Sequence, residues 1–232
     1  SDAAEAPFTL EDVTKAVRSL KPNKACGPDC LPPELYHYHS TTLAPILLRV
    51  FNEIHSAGTL TDTMRMGEIT LLYKKKARED IRNYRPITLL NSDYKILSAI
   101  ITKRIVNVVI DYITPWQTGF VPERLITDNT QLLYLLQSVI EDRYESGDHE
   151  AGGAFVMLDQ EKAFDSVSWD TIRKTFRAMG FGPHMCAWVD VLCNSSAPVT
   201  RTLRINGELS EEFYVCAGVV PQGDIWSPIC FA

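Results

Sequence analysis

The stretch "FVMLDQEKAFDSVSWD", residues 155–170, joins a short apolar run to two closely spaced carboxylates. The run ends at Asp159, and Phe164 precedes a second acid, Asp165. Residues 154–159, "AFVMLD", are therefore predicted to form a strand whose last residue reaches the surface. A carboxylate at the end of a rigid strand is well placed to bind a hard cation and a phosphate. Taken alone, Asp159 is also explained as a strand-terminal acid that starts a turn or caps a helix, and we prefer this simpler interpretation.

The composition indicates a water-soluble globular protein of one or two compact units. The chain has 232 residues, of which 45% are hydrophobic. The longest apolar stretch, residues 94–113, is interrupted by Lys103, Arg104 and Asp111, so no membrane span is expected. The first residues, "SDAAEAP", do not resemble a secretion signal. We expect an intracellular protein, in the nucleus or cytoplasm, that is neither secreted nor bound to a membrane.

The six cysteines are scattered and include no Cys-x-x-Cys pair, so we expect unpaired thiols. Zinc ligation by Cys26, Cys30, His37 and His39 is a conceivable alternative. Their spacing fits no common zinc finger, and we set this alternative aside.

Charge is segregated along the chain. The total is −6, which by itself argues against a nucleic-acid partner. Residues 65–104, however, contain ten basic and four acidic residues, a net charge of +6 that leaves −12 for the rest. A local basic region of this kind is what an anionic partner would contact.

Hydrophobic periodicity predicts an α+β fold rather than a regular alternation of strands and helices. Helices are predicted at 10–20, 43–57, 92–112, 127–145, 168–179 and 184–194. Strands are predicted at 68–73 and 154–159, followed by a hairpin of 200–207 and 211–218 with Asn206-Gly207 at its turn. Helix 127–145 is expected to bury five residues: Leu132, Leu133, Leu136, Val139 and Ile140.

Several blocks in a fixed order resemble the reverse transcriptases of non-LTR (LINE-type) retrotransposons. "LDQEKAFDSVSWD" resembles motif A of that family, and "AGVVPQGDIWSP" resembles motif B. Further matches are "LKPNKACGPDCLPPELY", "ITLLYKKKAREDIRNYRPITLLNSDYKIL", "QTGFVPERLITDN" and "GFGPHMCAWVDVL". Each block is weak alone, but the ordered set is very specific.

The resemblance implies a right-hand polymerase fold with fingers and an incomplete palm, in which the thumb is absent. It places fingers at 8–100 and 171–222. The first part of the palm, with motif A, would span 101–170, and residues 223–232 would begin the motif B palm helix.

The resemblance also implies the roles of motif A and the metal cofactor. Asp159 is expected to be the catalytic aspartate that binds Mg²⁺ or Mn²⁺, with the main-chain carbonyl of Gln160 as a second ligand. Phe164 matches the aromatic residue that disfavours a ribose 2′-hydroxyl and so selects dNTPs. Asp165 is expected to have a structural role in motif A.

The remaining matched residues are expected to contact the substrates, an RNA template, a DNA primer and a dNTP. The residues expected to bind the nucleotide are Lys74, Lys75, Arg85, Gln222 and Gly223. The residues expected to bind the template strand are Gln117, Gly119, Phe120 and Arg124.

The sequence departs from the family pattern in two places. The family's aromatic-x-Asp-Asp motif C does not occur in these 232 residues, so we expect the chain alone to be an inactive or weak polymerase. The lack of that hairpin is expected to expose a palm edge, which could bind a partner or a second copy. In motif B, "DIW" replaces the more typical "CPL" and places an acid, Asp224, near the expected nucleotide pocket.

Two alternatives remain open at this point. The chain could be a retroelement-derived remnant that serves as an RNA-binding or protein-interaction module without polymerase activity. It could also belong to the related group II intron maturases or RNA polymerases, although "NYRPITLLNSDYKIL" and "QTGF" favour the retrotransposon branch.

Overall fold

The computed structural model describes residues 2–148, 150, 152–160, 166–215 and 221–231. Its α-helices are α1 (Asp2–Glu5), α2 (Leu10–Ser19), α3 (Pro33–Tyr38), α4 (Ser40–Ala57), α5 (Ser92–Val109), α6 (Ile126–Glu145), α7 (Trp169–Ala178), α8 (Pro183–Leu192) and α9 (Ser227–Phe231). Its strands are β1 (Met66–Tyr73), β2 (Tyr84–Leu90), β3 (Val199–Ile205), β4 (Glu208–Leu209) and β5 (Phe213–Val215). Short 3₁₀ turns occupy Thr63–Arg65 and Ile81–Asn83. The architecture is α+β, as the periodicity predicted.

One five-stranded sheet joins two distant parts of the chain. β1 pairs with β2 as an antiparallel hairpin and with β3 in parallel, and β3 also pairs with β4 and β5. The β3–β4 turn has Asn206 at φ 51° and Gly207 at φ 90°, which agrees with the predicted hairpin. Arg204 on β3 binds Glu68 on β1 through a two-bond fork, with 2.7 Å between Nη2 and Oε2, and this fork lowers the pKa of Glu68. Residues near 70 and near 200 therefore form one structural unit.

The hydrophobic core lies among the helices. α2 packs against α4 and α5, and α8 packs against α7, α4 and α1. The fully buried side chains include Val17, Phe51, Ile101 and Trp188. Most of the apolar stripe predicted for helix 92–112 is buried, from Ile96 to Val109, but Tyr112 at its end lies beyond α5 and is 69% exposed. Burial of this apolar surface is the main stabilising contribution to the fold.

Local signals set the ends of two predicted helices. α2 begins with a capping box in which Thr9 Oγ1 accepts a hydrogen bond from Asp12 N (3.1 Å) and Asp12 Oδ2 accepts one from Thr9 N (2.9 Å). α4 ends at Gly58, which has a left-handed φ of 70° that glycine adopts without strain. Both boundaries match the sequence prediction.

The strand predicted at 154–159 is wrong. Residues 152–160 have no regular secondary structure, and their side chains are exposed. Phe155, Val156, Met157 and Leu158 are 48%, 79%, 86% and 91% exposed. A strand needs a neighbouring ladder to pair its backbone groups, and the described residues provide none along this segment.

The burial predicted for helix 127–145 is also wrong. α6 forms at nearly the expected position, but none of its residues is buried. Leu133 and Leu136, both predicted to be buried, are 36% and 47% exposed. An apolar stripe is buried only where another element packs on it, and no described element packs extensively on α6.

Two further structural features bear on the class of the protein. No described helix is both long and apolar enough to cross a bilayer. Five cysteines lie within the described part of the chain, and all of them are free thiols: Cys26, Cys30, Cys186, Cys193 and Cys230.

Candidate functional site

The β1–β2 hairpin presents basic side chains from an ordered tip. Lys74 and Lys75 directly follow β1 and are exposed. The tip is held by Tyr73, whose hydroxyl donates to Lys76 O (2.6 Å), and by Tyr84, whose hydroxyl donates to Arg78 O (3.0 Å). Among the described residues neither Lys74 nor Lys75 has an ion-pair partner, since no salt bridge within those ranges includes them. Both ammonium groups are therefore free to bind an anion.

Other cations of this tip already have partners. Arg82 binds the Asp80 carboxylate through a fork of hydrogen bonds of 2.8–3.1 Å. The Arg78 guanidinium lies over the Tyr73 ring, 4.6 Å from its centroid. Both arginine side chains are therefore held against other residues of the tip.

Arg85 lies on β2 opposite Leu72 of β1, and its side chain is exposed. Successive strand residues point to opposite faces of a sheet, so Arg85 lies on the face away from Pro86 and Thr88. The structure thus places three predicted nucleotide-binding residues, Lys74, Lys75 and Arg85, on one hairpin.

The turn of motif B docks on the outer edge of β2. Thr88 N donates to Gln222 O at 2.7 Å. Gly223 has φ 114°, and a Cβ on it would lie 2.6 Å from Thr88 O. Only glycine allows this approach without strain or collision. The two predicted motif B residues therefore lie on the strand that carries Arg85.

This docking also completes the hydrogen bonding of the β2 edge. Tyr84 N donates back to Ile81 O, Pro86 has no N–H, and Thr88 N is taken by Gln222. The edge thus has no free donor at these three positions, which protects it against pairing with other strands. Gln222 also borders a cavity of about 190 Å³ beside Pro86 and Thr88.

The acid of motif B, Asp224, is buried against α5. Asp224 is 4% exposed, and its carboxylate accepts hydrogen bonds from Tyr94 Oη (2.5 Å) and Ser98 Oγ (2.6 Å), both on α5. Burial raises the pKa of Asp224, and the hydrogen bonds from Ser98 and Tyr94 oppose that rise. The Asp224 side chain is therefore bonded to α5 and is not exposed at the surface.

Tyr94 and Ser98 were missed as partners of motif B. The sequence interpretation counted their helix as core packing, and most of it is core. Their i, i+4 spacing, which places two hydroxyls on one helix face, is the signal that could have identified them. The position of their acceptor, more than 120 residues later, is not visible in the sequence.

The loop between α5 and α6 brings together the predicted template-binding residues. Gln117 Nε2 donates to Gly119 O (3.1 Å), and Phe120 is 72% exposed with a left-handed φ of 61°. The Arg124 guanidinium donates to the carbonyls of Gln117 (2.8 Å), Ile113 (3.2 Å) and Thr114. Arg124 is thus a structural clamp of the loop, a role that the sequence did not predict.

The residues of motif A are only partly placed. Asp159 and Gln160 are described and exposed, whereas Phe164 and Asp165 lie outside the described residues. In the described ranges, no hydrogen bond or ion pair joins Asp159 to the hairpin, and no group of three or more His, Cys, Asp or Glu side chains could hold a metal ion. The geometry therefore shows one candidate ligand and not an assembled metal centre.

A family model and several relatives show which family the chain resembles. Residues 73–232 match the family described as reverse transcriptase (RNA-dependent DNA polymerase). The chain is 34% identical over 192 residues, 83% of its length, to the "Transposon TX1 uncharacterized 149 kDa protein" of Xenopus laevis. It is 32% identical over 226 residues, 97% of its length, to the "Retrovirus-related Pol polyprotein from type-2 retrotransposable element R2DM" of Drosophila melanogaster.

A third relative is the "RNA-directed DNA polymerase from mobile element jockey" of Drosophila funebris, which is 32% identical over 164 residues, or 69% of this chain. The chain spans only 14%, 20% and 17% of the lengths of these three relatives. The similarity therefore covers most of this chain and a small part of each relative.

Proposed function

Since the chain belongs to the reverse transcriptase (RNA-dependent DNA polymerase) family, we propose that it supplies the fingers and first palm segments of an enzyme that copies an RNA template onto a DNA primer. The substrates would be dNTPs and the reaction template-directed nucleotidyl transfer. The observation that carries the proposal is the docking of Gln222 and Gly223 on the strand that carries Arg85.

The hairpin provides the chemistry that a triphosphate requires. The guanidinium of Arg85 can bind phosphate oxygens through two parallel hydrogen bonds, whereas Lys74 and Lys75 act as mobile point charges. All three are exposed, and the lysines have no ion-pair partner among the described residues. These residues would orient the incoming dNTP and neutralise its charge.

The bounds of the fingers are also part of this proposal. The parallel pairing of β1 with β3 joins residues 66–70 to 200–204 in one sheet. This pairing supports a fingers unit built from 8–100 and 171–222. The palm would comprise 101–170 and 223–232, although the helix expected to begin at 223 begins at Ser227.

In motif A, we propose that Asp159 and the main-chain carbonyl of Gln160 contribute ligands to a Mg²⁺ or Mn²⁺ site. The described residues do not fit a complete site, because no group of three or more His, Cys, Asp or Glu side chains among them could hold a metal ion. Phe164 as the sugar-selecting aromatic and Asp165 as a structural acid rest on the sequence match alone.

The template strand is assigned to the α5–α6 loop. Exposed aromatic rings stack on bases regardless of sequence, and Phe120 is exposed on a loop that Arg124 holds in place. Gln117 and Gly119 are joined by a hydrogen bond in the same loop. Of these four residues, Phe120 would make direct contact and Arg124 would maintain the loop conformation.

Binding of a fluorescent dNTP tests the proposal without requiring turnover. Arg85→Ala should weaken binding about tenfold or more, because a charge-assisted contact to phosphate is lost. Arg49→Ala, an exposed arginine on α4, is the matched control and should bind as the unmodified chain does. Equal affinity of both variants for the dNTP would contradict the assigned site.

The remnant hypothesis has one observation in its favour. Apolar side chains are exposed on α6 and at 155–158, and exposed apolar surface often marks a protein interface. Primer extension on an RNA template, with Asp159→Ala beside the unmodified chain, separates the two functions. Extension that depends on Asp159 supports the polymerase, whereas RNA binding without any dNTP response favours the interaction module.

A further inference from the structure

Asp224 is the buried acid of motif B, and two hydroxyl groups donate to its carboxylate. These are Tyr94 Oη and Ser98 Oγ, and the neighbouring main-chain N–H groups of Ile225 and Trp226 also oppose the rise in its pKa that burial causes. Asp224, Tyr94 and Ser98 are 4%, 7% and 0% exposed. These surroundings suit an ionised carboxylate, which accepts hydrogen bonds and donates none.

This carboxylate stands at the junction of two anchors. On one side, α5 supplies the Tyr94 and Ser98 hydroxyls from consecutive turns of a buried helix. On the other side, the two residues just before Asp224 form the turn that docks on Thr88 of β2. The turn is therefore held between a rigid helix and a strand edge.

Arg201 adds a third element to the surroundings of Asp224. This β3 arginine is 6% exposed and interacts electrostatically with both Tyr94 and Asp224. Its guanidinium hydrogen bonds go to the carbonyls of Arg65 and Thr200, both at 2.8 Å. Arg201 thus offsets part of the buried negative charge without replacing the two hydroxyls.

Space filling alone does not explain an acid at this position. A small uncharged residue at position 224 would fit the core without the cost of burying a charge. A carboxylate can fix the relative positions of the groups around it, because it accepts several hydrogen bonds in defined orientations.

We propose that Asp224 is a positioning residue for motif B, which locks the Gln222–Gly223 turn onto β2 through Tyr94 and Ser98. The lock itself stands on the contacts just described. Its consequence, that the lock sets the shape of the dNTP pocket, rests on the proposed function.

Amide hydrogen exchange tests the lock directly, because Thr88 N–H is bonded to the turn and not to β1. Adjacent strand amides point to opposite edges, so Leu89 N–H faces β1 and serves as an internal reference. In Asp224→Asn, Thr88 should exchange at least about tenfold faster than in the unmodified chain, while Leu89 is unchanged. Tyr94→Phe and Ser98→Ala each remove one hydrogen-bond donor and should give smaller increases in the exchange rate of Thr88. They test the lock in place of Asp224→Asn if that variant does not fold.

The control is a variant that loses stability elsewhere. Val17→Ala removes core volume in α2, far along the chain from motif B, and should lower Tm without selective exchange at Thr88. Thr88 protection equal to that of the unmodified chain in Asp224→Asn and Tyr94→Phe would overturn the lock.

Fluorescent dNTP binding by the same variants tests the consequence. The expected result is a loss of about tenfold in Asp224→Asn with unchanged affinity for single-stranded RNA. Normal dNTP affinity despite a released Thr88 amide would overturn the pocket role. If the unmodified chain binds no dNTP, the proposed function fails instead, and the exchange experiment still decides the lock.

Discussion

At the scale of single residues, Asp93 is a carboxylate that the fold holds in an unfavourable environment. It lies in the first turn of α5, where its Oδ1 accepts from Tyr94 N at 2.7 Å. Burial raises its pKa to about 6, and the Asp29 carboxylate adds to the rise. The usual pKa is 3.8, so the folded state binds more protons than the unfolded state between about pH 4 and 6. The folded state is therefore stabilised by Asp93 protonation at low pH, and that stabilisation is lost as the pH rises through 6.

We predict that Asp93→Asn raises the free energy of unfolding at pH 7.5 by up to about 3 kcal/mol, since it removes the buried charge and keeps an oxygen acceptor for Tyr94 N. At pH 4 the gain should disappear. Thermal denaturation of both proteins across this pH range measures the difference. A constant difference in Tm between pH 4 and 7.5 would contradict the assignment of the pKa to Asp93.

Gly27 is a second residue whose identity the packing dictates. A Cβ at this position would lie 2.2 Å from Asn91 Oδ1, 2.5 Å from Asn91 N and 2.6 Å from Leu90 C. Asn91 cannot move without loss, because it also accepts from Asp29 N (3.2 Å) and donates to Thr63 O (2.8 Å).

We predict that Gly27→Ala destabilises the protein by about 2–4 kcal/mol through this collision. Gly180→Ala is the matched control. Gly180 has φ 79° but nothing within 4 Å of the added Cβ, so only the backbone cost of about 1 kcal/mol applies. Urea denaturation of the two variants should rank them in this order, and the reverse ranking would refute the packing argument.

At the scale of secondary structure elements, a residue of α1 caps the N-terminus of α8, although the two are 177 residues apart in the chain. Glu5 Oε1 accepts from Gly182 N (3.0 Å), and its Oε2 accepts from His184 N (3.0 Å) and Met185 N (3.3 Å). A carboxylate at a helix N-terminus satisfies free N–H groups and interacts favourably with the helix dipole. This contact joins the first and eighth helices.

We predict that Glu5→Gln lowers the free energy of unfolding by about 1–2 kcal/mol, because the charge and one of two acceptors are removed. Glu11→Gln should cost less than about 0.5 kcal/mol, since Glu11 only makes an exposed ion pair with Lys15. Chemical denaturation monitored by the α8 tryptophan, Trp188, compares the two variants. Equal losses would mean that Glu5 acts as an ordinary surface acid.

The helix ends show which parts of the fold could be predicted from the sequence and which could not. The start of α2 at residue 10 was predicted, because the signals that begin a helix lie within a few residues of one another, as in the Thr9–Asp12 capping box. The Glu5 cap and the Tyr94–Asp224 bond link residues 177 and 130 positions apart, and no local pattern indicates them. The strand at 154–159 was wrong for a related reason, since its β pattern is realised only where another strand pairs with it.

For the candidate site, the sequence predicted the strand that ends just before Lys74 and Lys75, but it predicted no strand at Tyr84–Leu90, so the pairing that brings Arg85 into the same hairpin was missed. It could not show that the turn of motif B would contact β2, since Thr88 and Gln222 are far apart along the chain although they are hydrogen-bonded in the structure. Nor could it separate Arg124, which binds three carbonyls, from residues that are free to contact a template.

At the scale of the whole molecule, charge segregation would govern the approach of the proposed nucleic-acid partner. The net charge of −6 repels a polyanion at long range, whereas the basic segment 65–104 attracts it locally. At physiological salt the Debye length is about 8 Å, so repulsion from distant acids is largely screened and contacts at the hairpin tip remain. Binding to RNA should therefore weaken steeply with salt even though the protein is acidic.

We predict that the slope of log K against log salt concentration for a single-stranded RNA falls by about 0.7 when Lys75 is replaced by Gln, because each phosphate contact to a single strand contributes about that amount. Lys15→Gln makes the same change of charge on α2, where the lysine is paired with Glu11, and should leave the slope unchanged. Fluorescence anisotropy at several salt concentrations measures both slopes. If the two variants lower affinity equally with equal slopes, only the net charge matters and the hairpin tip is not the contact surface. If only Lys75→Gln changes the slope, RNA phosphate contacts Lys75 when no dNTP is present, at the same hairpin tip that is proposed to hold the dNTP triphosphate.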